Sequence, residues 1–146
     1  MSGTKQQGVK VLIDNGFGEF LFLLRKKPLP GETQTGWDIP GGRIKTNPIT
    51  KIRENPVDAL QREVLEETKL VLNLGSLQIV GFQTFTLKPY GIEIERTYFR
   101  AQLLPGNDER LNPAEHTASR WATVASELGH LQLNPQLGLA LNYMQL

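Results

Sequence analysis

Between Asn55 and Lys69 the chain spells out one complete helix, and runs of strand-forming residues stand on both sides of it. Asn55 is a strong N-cap, because its side chain accepts an orphan N–H of the first turn, and Pro56 at the first helical position gives up no hydrogen bond. Asp58 falls in the first turn, where the helix dipole favours an acid. The helix is expected to end at Thr68 or Lys69. Val57, Leu60 and Val64 share one face at roughly 100° per residue, and that face must be buried.

Upstream, Val9, Val11 and Ile13 alternate with other residues until the turn chemistry of Asn15-Gly16 and Gly18, which reads as a strand. The run EFLFLLRK from Glu19 is short and nearly all apolar, as in a buried strand. KPLPGETQTG interrupts regular structure, and WDIPGGRI is a short strand stopped at a Pro-Gly-Gly corner. Downstream, SLQIVGFQTFTL and EIERTYFRAQLL are rich in β-branched and aromatic residues, with KPYG between them as a hairpin turn. A short helix near Val124 to Leu128 stops at Gly129, and a last one starts at about Pro135, capped by Asn134. Strands before and after a helix indicate a mixed α+β or α/β domain.

At 146 residues the chain suits one domain, 1–146, with a single core rather than two. With 39% hydrophobic and 21% charged residues it has a globular composition, not a disordered one. A net charge of +1 removes any bulk attraction to nucleic acid or a membrane surface, so functional charge must be local. There is no cysteine, which excludes disulfides, thiolate metal sites and cysteine nucleophiles. The N-terminal stretch has no apolar core of signal type and no run is long enough to span a bilayer, so a cytoplasmic location is expected.

The helix carries the chemistry. In LQREVLEET, Leu60 to Thr68, the acids Glu63, Glu66 and Glu67 stand at i, i+3 and i+4 and are neighbours on one side. Arg62 and Lys69 lie close enough to balance them, so spacing alone leaves open a solvated face or a grip on a cation. Two flanking features favour the cation. The Pro-Gly-Gly corner frees backbone carbonyls and admits a ligand closely, and Glu54 adds a fourth acid. Hard oxygen donors suit Mg²⁺ or Mn²⁺ rather than zinc. Mg²⁺ shares its shell with substrate phosphates, which implies phosphoryl or nucleotidyl transfer to water.

These residues resemble the signature of the Nudix hydrolases: a glycine, a glutamate, then Arg-Glu-apolar-x-Glu-Glu-x-Gly-apolar. REVLEE from Arg62 to Glu67 matches it, Glu54 precedes Arg62 at the family's spacing, Leu70 is the closing apolar position, and WDIPGG resembles the usual lead-in. Two departures stand out. Eleven residues, RIKTNPITKIR, separate Gly42 from Glu54 where the family has five, a longer loop expected to reshape one wall of the site. Lys69 occupies the position of the family's glycine.

The resemblance implies an α/β/α sandwich with a mixed sheet, and roles for individual residues. Glu63, Glu67 and then Glu66 would hold the metal, with the Gly41 carbonyl completing the shell. Arg62 would fix a helix carboxylate. Glu54 would orient a water or pair with Arg62, the alternative being a capping role. Glu115 stands where some members keep a general base, or it caps the following segment, and His116 is a phosphate contact or incidental. Arg43 and Lys45, with Lys51 and Arg53, would bind substrate phosphates or simply solubilise the loop. Trp37, Phe82, Phe85, Tyr90 and Tyr98 would stack on a base or fill the core.

The expected activity is Mg²⁺-dependent hydrolysis of a diphosphate bond in a nucleoside diphosphate linked to another moiety. The alternatives are a nucleoside triphosphate pyrophosphohydrolase and a Nudix-fold module that binds a nucleotide without cleaving it. A nucleic-acid 5′-end hydrolase is disfavoured by the near-neutral charge. The partner is therefore a nucleotide-type small molecule, not a membrane or nucleic acid, and a homodimer stays open because the family often dimerises.

Overall fold

The computed structural model describes residues 5–25, 36–87, 91–105, 116–123 and 133–144. The elements are β1 (Lys5–Asp14), β2 (Glu19–Arg25), β3 (Trp37–Asp38), β4 (Gly41–Arg43), α1 (Pro56–Thr68), β5 (Leu72–Leu87), β6 (Ile92–Leu103), β7 (His116–Thr123) and α2 (Pro135–Leu141). The sheet runs β3-β2-β1-β6-β5, with β4 also paired to β1 and β7 to β2. It is mixed: β1 and β6 are parallel in register from Lys5↔Glu93 to Asp14↔Gln102, while the other pairs are antiparallel.

A hydrophobic layer lies on each face. Val9, Val11 and Ile13 point to α1, where Ala59, Leu60, Val64 and Phe99 complete the cluster. Leu12, Phe22 and Tyr98 point the other way, to Leu137, Ala140 and Leu141 of α2. Each such aliphatic side chain, once fully buried, contributes about 1.5–3 kcal/mol. The expected sandwich is the one observed. No described helix is long and apolar enough to cross a membrane.

The helix boundaries follow the capping chemistry. Asn55 Oδ1 accepts from Val57 N at 2.8 Å, and Asn134 Oδ1 accepts from Gln136 N at 3.0 Å. At the far end of α1, Lys69 takes the left-handed conformation (φ 62°, ψ 17°), and its N–H closes on Leu65 O. It therefore makes the turn that a glycine makes without strain. The strand after the helix starts at Leu72, earlier than the Ser76 expected, with a register shift between Asn73 and Gln78. The KPYG turn, through Tyr90, and the short helix at Val124–Leu128 fall outside the described residues, although Leu87 and Ile92 are paired as a hairpin requires.

The long loop after Gly42 is a pinched-off excursion. Glu54 N donates to Lys45 O at 2.8 Å, Thr46 and Arg53 form an antiparallel bridge, and Asn47 N donates to Ile52 O. Asn47 Oδ1 accepts from Ile49 N and Thr50 N, and Lys51 takes a positive φ of 61° to close the turn. The residues between Asn47 and Ile52 thus project outward, and Lys45 and Glu54 meet as though the loop were short.

Candidate active site

Arg62 is the hub of the acid array. Its Nε and Nη2 donate to the two oxygens of Glu54 at 2.8 and 2.9 Å, a fork-to-carboxylate pair. Nη1 donates to Glu63 Oε1 at 2.7 Å and lies 3.5 Å from Glu66 Oε2. Nη2 also reaches the Arg43 carbonyl at 3.2 Å, tying the helix to β4. The hydrogen bonds from Arg62 hold the Glu54 carboxyl below its ordinary pKa, and Glu54 in turn raises that of Arg62.

The glycine corner explains how the helix acids come so close to the sheet. A Cβ on Gly42 would lie 2.4 Å from Glu63 Cδ, so the carboxylate occupies the space a side chain would take. Gly41, at φ 149°, would drive a Cβ into the Val9 carbonyl at 2.0 Å, and its N–H donates to Glu67 Oε1 at 3.2 Å. The helical spacing places three acids together, but the structure gives them different surroundings. Glu66 is half-exposed, Glu63 is largely covered, and Glu67 is only 1% exposed. Burial pushes the Glu67 carboxyl up to about 8, against the opposing pull of Lys10 and Arg25.

Beneath the corner lies a set of charges the sequence reading did not single out. Lys10, buried in the middle of β1, donates from Nζ to Asp38 Oδ2 at 3.1 Å and to the Ile39 carbonyl at 3.2 Å. Arg25 stands 4.0 Å from both Asp38 Oδ2 and Glu67 Oε2, bridging the buried pair to the acid helix. Burial lowers the pKa of Lys10. Burial would raise that of Asp38, but Lys10, Arg96 and Arg25 outweigh it and hold Asp38 below the usual range. A lysine inside an otherwise apolar run was the available signal.

The basic residues divide. Lys45 borders an open hollow of about 530 Å³ with Thr50, Ile52 and Glu54. Arg43 donates to Gln6 Oε1, and Arg53 donates to Gln7 Oε1 at 2.9 Å, so both brace the loop against β1. Lys51 is exposed at the turn. Among the aromatics, Tyr98 is fully buried, Trp37 packs against the α2 cluster and Phe82 is 76% exposed. Glu115 lies outside the described residues, and His116 opens β7.

Among the described residues no three acidic or histidine groups converge as a ready-made cation cage. Glu63 turns to Arg62 and Glu67 to the Gly41 N–H. The donor set nevertheless fits a hard divalent ion. Its side chains are all carboxylates, they are adjacent on one helix, and the side-chain-free Gly42 leaves Glu63 at the corner.

A family model described as NUDIX domain matches residues 4–138. No curated protein matches the chain. Among solved structures, a MutT protein from Methanosarcina mazei Go1 is similar at 27% identity and TM-score 0.71, over 94% of this chain and 90% of that one. The E. coli ORF135 protein shares the fold at 21% identity and TM-score 0.71, over 97% and 89% of the two chains. So does a MutT Nudix hydrolase from Burkholderia pseudomallei, at 18% identity and TM-score 0.71, over 97% and 99%. With the family's acid array standing around its glycine corner, the chain belongs to the Nudix hydrolases, which act on nucleotide-type small molecules with divalent metal ions.

Proposed function

We propose that this Nudix hydrolase cleaves a diphosphate bond in a nucleoside diphosphate linked to a second moiety, with Mg²⁺ as the working cation and Mn²⁺ as its substitute. The observation that carries this reading is the Arg62 fork, which holds Glu54 and Glu63 beside the glycine corner while Glu67 is buried against Gly41. Glu63, Glu66, Glu67 and the Gly41 carbonyl would hold the cation. When bound, it supplies the positive charge that neutralises the diphosphate oxygens and makes water acidic.

The chain's own residues do the rest. Arg62 holds Glu54 and Glu63 beside the glycine corner, which limits the rearrangement that cation binding requires. Lys45, beside the hollow at Glu54, is placed to meet an outer phosphate oxygen. Arg43 serves the site through its carbonyl on Arg62, and it is the weaker phosphate candidate because its side chain is turned to Gln6. Water oxygen bonds to phosphorus, the bridging P–O bond breaks, and the bridging oxygen leaves with the second phosphoryl group. The proton released from water goes to a carboxylate. Glu66, the most exposed of Glu63, Glu66 and Glu67, and the downstream Glu115 are the two candidates.

The test is product release from nucleotide sugars, dinucleoside polyphosphates and nucleoside triphosphates, with Mg²⁺, with Mn²⁺ and with chelator. Gly42→Ala runs alongside, because its Cβ displaces Glu63 without removing any acid. Metal-dependent cleavage between two phosphates, lost in Gly42→Ala, is expected. Turnover only with triphosphates would replace the substrate class, and tight binding without turnover would replace the reaction.

A further inference from the structure

Arg96 is an arginine more than nine-tenths buried, at 7% exposure, and the array around Arg62 does not use it. It stands in the central pairing, opposite Gly8 of β1, with Tyr98 opposite Lys10. Side chains two apart on a strand share a face, so Arg96 lies on the α2 side of the sheet with Tyr98 and Lys10. Its guanidinium sits over the Phe85 ring at 4.8 Å. On the other side is Gly8, where an added Cβ would stand 3.9 Å from Arg96 Nε and 3.3 Å from the Gly42 carbonyl oxygen. Gly8 is itself buried, so only backbone stands between this guanidinium and the glycine corner. The two are about 10 Å apart, two strand spacings.

The partners of Arg96 leave most of its donors over. Nη1 donates to the Tyr98 hydroxyl oxygen at 3.3 Å, and that hydroxyl spends its own proton on Gln83 Oε1 at 2.7 Å. Among the described residues no carboxylate lies within ion-pair distance of Arg96; Asp38, which feels its charge from further away, is bonded to Lys10, and Asp14 is bonded to Arg100. A guanidinium carries five N–H donors in a flat fork. Burying it with one hydrogen bond and a ring face is unfavourable unless something else accepts from the remaining edge. With Phe85 on one flat face of the fork, the edge is what faces a ligand.

Resting on the hydrolase reading above, we propose that the edge of Arg96 is the docking point for an end group of the substrate, its base or a terminal anion, away from the diphosphate. It selects a group that presents two adjacent acceptor atoms. A guanine edge has that chemistry through O6 and N7, and so does a terminal phosphate or carboxylate. Phe85 is the platform that holds the fork in plane, and the Tyr98–Gln83 bond sets its height; Gln83 is itself anchored to the Gln136 carbonyl of α2 at 2.9 Å.

The full chain is assayed for kcat and KM on matched pairs of substrates. One pair is a guanosine and an adenosine diphosphate sugar carrying the same sugar. The other is an adenosine substrate with and without a terminal phosphate. Arg96→Lys keeps the charge and loses the fork. It is expected to raise KM for the acceptor-bearing member of one pair about 10–100-fold, with kcat within about threefold and its mate unaffected. The pair that responds names the source, base edge or anion, and Phe85→Leu should move KM the same way by a smaller factor. An equal loss on every substrate together with a lower unfolding temperature would make Arg96 structural, and an unchanged KM throughout would also overturn the assignment. If wild type turns over nothing, the hydrolase reading fails by itself. Calorimetric titration of guanosine monophosphate, adenosine monophosphate and pyrophosphate into wild type and Arg96→Lys then decides. An Arg96-dependent preference upholds the site, and its absence refutes it.

Discussion

Glu67 links stability to activity with a definite sign. Its carboxyl sits 1% exposed under Gly41, and burial raises its pKa from 4.5 to about 8. The folded protein therefore keeps a proton that the unfolded chain gives up near 4.5. The stabilisation from this proton is fully present below that pH and is lost as pH climbs toward 8. By linkage the metal-free protein should lose about 3 kcal/mol between roughly pH 5 and pH 7.5, a slope of about 1.4 kcal/mol per pH unit. For a domain of this size that is a fall of about 6–12 °C in unfolding temperature. Glu67→Gln keeps the shape and removes the charge, so it should match wild type near pH 5 and exceed it near pH 7.5, while hydrolysis collapses. Mg²⁺ should restore stability to wild type and do little for the variant, because the cation takes the place of the proton. The assay is calorimetric unfolding in chelator and in Mg²⁺ across this pH range. Curves for wild type and Glu67→Gln that fall in parallel would refute the reasoning.

Arg62→Lys loses the fork on Glu54 and the reach to Glu63, and kcat should drop about 10–100-fold with KM little changed, as read from steady-state rates. Excising Asn47 to Ile52 leaves Lys45-Thr46-Arg53-Glu54, whose Glu54 N–H to Lys45 carbonyl bond is already that of a β-turn. The shortened protein should fold, with kcat within a few-fold of wild type, and loss of metal-dependent turnover would show that the excursion is part of the site. Lys69→Gly relieves a left-handed lysine and should stabilise the fold by about 0.5–1 kcal/mol, seen as a higher denaturant midpoint with unchanged rates.

How legible each part was depends on how local its cause is. The Asn55 cap, the stop near Thr68 and the neighbouring acids follow from spacing within one helix, and the structure has them where the spacing puts them. Residue spacing could not separate Glu66 from Glu67, because exposure depends on where α1 settles on β4. The six extra loop residues read as a reshaped wall; the Lys45–Glu54 and Thr46–Arg53 contacts pinch them off from the strand, and Thr50 and Ile52 among them line the hollow beside Glu54. Lys10 escaped notice for a different reason. In an alternating strand a charge between Val9 and Val11 has the same pattern whether it meets water or a buried partner. That partner, Asp38, lies on a separate strand.

The ladder between β1 and β6 bears on how the protein comes to be folded at all. Ten residues near the start of the chain, Lys5 to Asp14, take their parallel neighbour from Glu93 to Gln102. Such a rung closes a long loop before any contact rewards it, which makes folding slow. During synthesis α1 and the glycine corner emerge long before the strand that completes the layer under them, with Phe99 and Ala101 still to come. The apolar face of the acid helix is thus left without these partners while residues 69–101 are made. That places the vulnerable interval for aggregation or chaperone capture before β6 leaves the ribosome, and mutations that slow the β5–β6 hairpin would lower yield without touching a single acid of the site.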